Sequence, residues 1–370
     1  MIEVAAIELR LVALPLLRPF RTSFGEEREK EAVLVRLEAR DGAVGWGECV
    51  ASPSPRYSEE FNDAAWIVLR DHLGPSVLRA GKIEPERLGQ VLGWVRGHRM
   101  SKAAVEMAVL DAWLRTRDES MASYLGATRD RVACGVSVGI AESVGALVEQ
   151  VAGYVRDGYR RVKLKIAPGW DVGPVTAVRG AFPETPLSVD ANAAYRLADL
   201  SLFEALDALE LVMVEQPLGH EDLLEHAALA RRISTPICLD ESIRSAADAR
   251  AALELGACGI VNVKQGRVGG LLESRRVHDV ARDHGAPVWC GGMLETGIGR
   301  AANLALAALP GFTLPGDTSA SDRYWAEDLT PPFVLGPDGT MPVPDGPGLG
   351  VEPIPERLEA CTRRIERVAR

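Results

Sequence analysis

Short apolar runs, each closing on a polar residue, recur through the middle of the chain at a near-constant interval. Arg161-Val-Lys163-Leu-Lys165, Pro186-Leu-Ser-Val-Asp190, Leu211-Val-Met-Val-Glu215 and Pro236-Ile-Cys-Leu-Asp240-Glu241 set Lys165, Asp190, Glu215 and Asp240 each 25 residues apart. Gly259-Ile-Val-Asn-Val-Lys264, Pro287-Val-Trp-Cys290 and Phe312-Thr-Leu-Pro-Gly316 continue at 24, 26 and 26 residues, and Cys134-Gly-Val-Ser137-Val lies one longer unit before Lys165. Each run leads into a loop and then an alanine-leucine segment, the signature of a repeated strand-loop-helix unit. Eight such units predict an α/β chain built on a (β/α)8-type, TIM-like barrel, whose active site belongs at the carboxyl ends of the strands.

The polar residues stand at those ends. Neighbouring strands in a ring of eight are roughly 45° apart about the axis, so the second strand, ending in Lys163 and Lys165, faces the sixth, ending in Lys264. Asp190, Glu215 and Asp240 close the three strands between them. The spacing predicts three carboxylates on one wall of the mouth and a lysine on either side.

Residues 1–125 follow a different pattern. Ile2 to Leu16 alternates loosely, Ala32–Arg40 and Ala43–Glu48 read as a hairpin across Asp41-Gly42, and Glu59–Leu73, Glu84–Val95 and Lys102–Leu114 read as helices, the last N-capped by Ser101. This predicts an α+β capping domain over 1–125, barrel over 126–321, and a segment over 322–370, ending in a helix over Pro355–Val368, that folds back on the capping domain. The stretch 19–30, with Phe20 and Phe24 beside Gly25, reads as a surface loop or as a lid over the barrel mouth.

Composition narrows the function. A chain of 370 residues, 47% hydrophobic and 25% charged, has ample material for a core, and a net charge of -10 with scattered lysine and arginine excludes a nucleic-acid partner. No run of about 18 apolar residues occurs, so no membrane span is expected. The first ten residues carry charges where a signal peptide needs an apolar stretch, and the six cysteines form no C-x-x-C pair, which together point to a cytoplasmic protein with structural thiols.

Three strand-end carboxylates with no histidine or cysteine at matching positions make a hard-oxygen set that suits Mg²⁺. Asn192 and Glu241, beside Asp190 and Asp240, are candidate supporting residues. One such acid could simply cap the next helix; three in register on consecutive strands favour a metal. A lysine acting as a base near neutral pH needs its pKa brought down by about 3 units from about 10.4, and a neighbouring dication and a second lysine both push that way. The alternative for Lys163 or Lys264 is a plain ion pair. Lysines on opposite sides of a metal-bound carboxylate substrate allow one to remove an α-proton and the other to return it to the opposite face, through a Mg²⁺-stabilised enediolate.

Lys163-x-Lys165, Asp190-x-Asn192, Glu215-Gln-Pro, Asp240-Glu241-Ser and Lys264 resemble the enolase superfamily, in its lysine-paired group. Arg21-Thr-Ser-Phe-Gly, Gly97-His-Arg-Met100, Gly291-Gly-Met-Leu-Glu-Thr-Gly297 and Thr313-Leu-Pro-Gly-Asp-Thr-Ser-Ala-Ser-Asp322 narrow the resemblance to its N-acylamino acid racemase / o-succinylbenzoate synthase family. The resemblance implies Lys165 and Lys264 as the acid/base pair with Lys163 assisting, and Asp190, Glu215 and Asp240 around Mg²⁺, with Mn²⁺ or Co²⁺ as substitutes. Phe20, Tyr57, Ser137, Gly292, Met293 and Tyr324 would shape the pocket for the acyl arm. It implies a homo-oligomer acting on a small-molecule carboxylate: by racemising N-acyl, often N-succinyl, amino acids, or by dehydration to o-succinylbenzoate in menaquinone synthesis, or by both in one site. A dipeptide epimerase would carry a second acid after Asp317, where Ser319 stands, and a catalytically silent metal-binding scaffold leaves the paired lysines without a purpose.

Overall fold

The structure is a computed structural model and describes residues 1–369. Strands β1 (Ile2–Thr22) and β2 (Gly25–Ala39) form a long antiparallel hairpin, to which β3 (Val44–Cys49) adds across the Asp41-Gly42 turn. Strand alternation gives the sheet two apolar faces. Val12, Leu14, Ala32, Leu34 and Trp46 pack toward the barrel, while Leu9, Val33, Val35 and Leu37 pack against helices α1 (Asn62–Val68) and α2 (Arg99–Arg115). Helix α2 is buried along almost its whole length, and its approach to β3 needs Gly47, where a Cβ would lie 1.9 Å from the Ala104 carbonyl oxygen.

Several elements differ from the sequence pattern. The 19–30 stretch is the tip of the β1–β2 hairpin, with Phe20 opposite Glu27 and Thr22 opposite Gly25, and the Arg21 carbonyl accepts a hydrogen bond from the Ile140 N–H of the barrel at 2.9 Å. Helix α2 begins at Arg99, not after Ser101. Its free N–H groups at Met100 and Ser101 are satisfied by the carboxylate of Glu60, forty residues away, which makes a local serine cap unnecessary. The expected 59–73 helix begins at Asn62 and loosens into a π turn over Leu69–Leu73, and the 84–95 segment shortens to a 3-10 turn and Leu88–Leu92.

The barrel strands are β4 (Gly135–Val138), β5 (Arg161–Lys165), β6 (Leu187–Asp190), β7 (Val214–Glu215), β8 (Ile237–Leu239), β9 (Ile260–Val263) and β10 (Val288–Cys290), parallel and in sequence order. The eighth run does not make a continuous strand. It closes the ring by bridges, Val288 to Phe312 on one side and Cys134 to Gly316 on the other, because Pro315 has no N–H to offer a ladder. Met213, Cys238, Ile260 and Trp289 fill the interior below the site. Among the described residues no helix is long and apolar enough to cross a membrane. All six cysteines are free, five of them buried.

The capping domain joins the barrel through acids placed at helix N-termini, where unpaired N–H groups collect. Glu48 accepts from the Thr296 N–H (3.0 Å), the Thr296 hydroxyl (2.7 Å) and the Gly299 N–H (2.9 Å) at the start of α4 (Gly297–Ala307). Glu106 accepts from the Leu272 N–H (3.0 Å) at the start of α3 (Leu271–Asp283). At the C-terminus the expected Pro355–Val368 helix is only α5 (Pro355–Cys361). Thr362–Arg367 is a strand, β11, that pairs antiparallel with β1 and covers its otherwise open edge.

Candidate active site

The site follows from strand parity. In β5, Arg161, Lys163 and Lys165 all face the barrel interior, an arrangement tolerated only because acids meet each of them. Lys165 lies directly beside Asp190, and Asp190 beside Glu215, in the sheet register. Lys163 Nζ lies 2.8 Å from Glu215, 3.2 Å from Asp190 and 2.7 Å from Asp317, over the face of Trp289. Lys165 Nζ donates to Asp190 and to the Asn192 amide oxygen, both at 2.6 Å. Across the barrel, Lys264 Nζ lies 2.8 Å from Asp240 and donates to the Tyr57 hydroxyl at 3.2 Å, and that hydroxyl donates to Asp240 at 2.9 Å.

The protonation pattern has physical causes. Burial opposes the charge of Lys163 and Lys264, but the acids around each outweigh it and raise both ammonium pKa values. Burial likewise opposes ionisation of Asp190 and Asp240, and their lysines, with Arg267 at Asp240, hold both below the ordinary carboxylate range. Burial, then the neighbouring charges of Asp190 and Asp240, push Glu215 up to about 8. Glu241 is raised to about 7 by burial and the same two aspartates. The acids thus sit near enough to repel one another.

Among the described residues no three acids, histidines or cysteines converge on a single point as metal ligands. Each carboxylate is folded onto an ammonium group instead. The donor set itself fits a hard divalent ion, being all oxygen, from three adjacent strands, with Glu241 Oε2 buried and without a hydrogen-bond donor. Asn262 donates to Glu215 (2.7 Å) and Asn192 to Glu241 (2.9 Å), so both acids are oriented from behind.

Above the acids opens a cavity of about 450 Å³. Its walls include Lys163, Lys165, Lys264 and Asn192, and all six residues anticipated for the pocket: Phe20 and Tyr57 from the capping domain, Ser137, Gly292 and Met293 from the barrel, and Tyr324 from the C-terminal segment. Asp190, Glu215 and Asp240 lie beneath it. The backbone is strained around it: Asn192 and Leu294, which line the cavity, and the buried Gln216 beneath are non-glycine residues with φ of 45°, 55° and 37°. Gln216 holds its turn by accepting from the Asp240 and Ser242 N–H groups.

Sequence reasoning passed over four residues of this network: Asp317, Arg161, Arg267 and Asn262. Asp317 had a signal, standing one place past the eighth run. Arg161 and Asn262 share the inward parity of Lys163 and Lys264, but Arg267, which bonds to Asp240, sits within the helical turn that follows the strand, where no periodicity marks it.

Two family models match. Residues 6–126 match the mandelate racemase / muconate lactonizing enzyme N-terminal domain, and residues 146–357 match the enolase C-terminal domain-like family. The chain is 57% identical to an N-succinylamino acid racemase of Amycolatopsis sp., over 97% of this chain and 98% of that protein. It is 46% identical to an o-succinylbenzoate synthase of Geobacillus stearothermophilus, over 98% and 96%. A solved structure of an enolase superfamily member from Listeria innocua superposes with a TM-score of 0.95 at 41% identity, covering 100% of this chain and 99% of that one.

Proposed function

This chain belongs to the enolase superfamily, in its N-acylamino acid racemase / o-succinylbenzoate synthase family, and we propose that it racemises N-acyl, chiefly N-succinyl, amino acids by proton transfer between two lysines. The observation that carries this reading is that Lys165 and Lys264, from the second and sixth strands of the ring, both open on one cavity. A substrate held between them presents its α-carbon to an amine on each face.

Asp190, Glu215 and Asp240 would hold the divalent cation, Mg²⁺ by the donor set with Mn²⁺ or Co²⁺ as substitutes, and the bound ion supplies positive charge that acidifies the α-proton of a carboxylate substrate. Lys165 takes the proton from one enantiomer and Lys264 delivers one to the other face; the opposite enantiomer reverses the roles. Asp240 and the Tyr57 hydroxyl keep Lys264 aimed at the cavity. Asn192 orients Lys165, and Lys163, caught between three acids, adds fixed positive charge beneath the carboxylate. Removal of an α-proton is also the first step of the o-succinylbenzoate reaction, and the identity to synthases so named favours that activity as a second one in the same site.

The test is incubation with Mg²⁺ in D₂O. N-succinyl-L- and N-succinyl-D-methionine should each lose the α-proton signal and converge in optical rotation, and K165A and K264A should each end racemisation. Formation of o-succinylbenzoate is followed spectrophotometrically in parallel. A wild-type enzyme that exchanges neither enantiomer would remove the racemase reading, and full racemisation by either variant would remove that lysine from the mechanism.

A further inference from the structure

On the barrel-facing side of β2 the alternating positions read Lys30, Ala32, Leu34. Ala32 and Leu34 pack into the barrel core as that face demands, and Lys30 is 2% exposed, yet it is charged and its side chain reaches the cavity above the lysine pair. Burying an ammonium group is costly unless a partner meets it. Every other buried cation on the cavity wall has such a partner: Lys163, Lys165 and Lys264 are each ion-paired with acids. Lys30 makes no ion pair and donates no hydrogen bond to another described residue.

The flanking acids are committed elsewhere, except Glu27, which lines the same cavity from the opposite strand parity and makes no ion pair with a described residue. Glu48, on the same face of the sheet, has both oxygens taken by Thr296 and Gly299. Glu29 and Glu31 have the opposite strand parity and pair with Arg363 of β11. Glu26, at the hairpin tip, pairs with Arg21 and Arg28. The ammonium of Lys30 therefore opens on the substrate cavity from an otherwise buried side chain, with no hydrogen bond or ion pair to a described residue and only the through-space charge of Glu48 nearby.

We propose that Lys30 is a specificity-determining residue that binds a second carboxylate carried by the substrate, remote from the one at the reacting carbon. The identity of the substrate rests on the racemase reading above; the vacant ammonium does not. A distal carboxylate has two possible sources, the end of a succinyl arm or an acidic amino-acid side chain, and both offer the same partner.

Three substrates separate them: N-succinylmethionine, N-acetylglutamate and N-acetylmethionine, compared by kcat/KM on wild type, K30M and K30R. With K30M the ratio for N-succinylmethionine over N-acetylmethionine should fall by about tenfold or more, the loss expected when one member of a buried charge pair is removed, and K30R should restore most of it. A fall confined to the N-acetylglutamate ratio would assign the side-chain carboxylate instead and still support the proposal. Ratios within about twofold of wild type, or an equal loss on all three substrates, would overturn it in favour of a structural role. Calorimetric binding of N-succinylmethionine against N-acetylmethionine gives the same ratio without turnover. A wild type that binds but does not racemise would sink the racemase reading while leaving the claim for Lys30 to be decided by the K30M binding ratio.

Discussion

Replacement of Glu106 by glutamine tests how the two domains are joined. Glu106 reaches from α2 to the first turn of α3, accepts the Leu272 N–H, and is packed so tightly that a Cβ at Gly270 would lie 2.2 Å from its Oε1. Burial raises its pKa from 4.5 to about 7, outweighing the N–H groups of Leu272 and Leu271 that favour the ionised form. Because the folded value exceeds the unfolded one, the native state holds a proton that the unfolded chain has already lost between these two pH values. The stability this group gives is whole below pH 4.5 and is lost as pH rises through 7. Integrated from pH 5 to pH 8, the loss is about 2–3 kcal/mol. In E106Q the amide oxygen keeps the Leu272 hydrogen bond and nothing titrates. Urea unfolding of both proteins at pH 5 and pH 8 should show E106Q gaining on wild type by about 2–3 kcal/mol between the two conditions, with the metal concentration held fixed. A gap independent of pH would refute the raised pKa. A gap of opposite sign would mean that the start of α3 holds the carboxylate ionised despite its burial.

Two further substitutions probe the site itself. Gly291 leaves no room for a side chain, since a Cβ there would lie 2.2 Å from Asn262 Oδ1 and 2.7 Å from Lys264 Cε, so G291A should displace Lys264 and lower kcat at least about tenfold while the fold survives, as measured by steady-state racemisation beside circular dichroism. Asp317 faces Lys163 at 2.7 Å and Arg161 at 2.9 Å with all three buried, so D317N should cost about 3–5 kcal/mol in urea unfolding, the penalty of leaving a buried cation short of its partner. Unchanged stability in D317N would show that Glu215 and Asp190 alone suffice for Lys163.

What the chain discloses before folding is uneven, for physical reasons. The barrel and its acid and lysine positions are legible because each strand is a short apolar run stopped by a polar residue that faces the candidate site or its neighbourhood, so one period carries both fold and candidate site. The β11 strand was hidden because Thr362-Arg-Arg-Ile-Glu-Arg has the composition of an exposed helix end, and only the open edge of β1 makes it extended. The Glu60 cap was hidden because the carboxylate comes from outside the helix it serves. Arg267 is silent in any pattern, its role arising only where the turn after β9 brings it under Asp240. Lys30 did have a signal: a lysine where the alternation calls for an apolar residue.

The two domains divide the work unequally. The lysines proposed to react and the acids beside them come from the barrel alone, set by strand register that any shift of a residue would destroy. The cavity above them is a joint product: Phe20, Lys30 and Tyr57 enter from the capping domain, Gly292 and Met293 from the loop after β10. That loop holds Leu294 in a strained backbone conformation, and it is followed at once by Thr296 and Gly299, which Glu48 of the capping sheet grips by three hydrogen bonds. Burial pushes Glu48 up to about 7 against these hydrogen bonds, so the clasp holds the loop beside the strained residue through its geometry, three donors converging on one carboxyl group. The same clasp fixes the distance between capping-domain side chains and the reacting carbon. On the reading proposed here, substitutions at capping-face positions such as Phe20 would alter which acyl arm or side chain is admitted, whereas a change at Tyr57, which bonds to Lys264 and Asp240, would also disturb proton transfer.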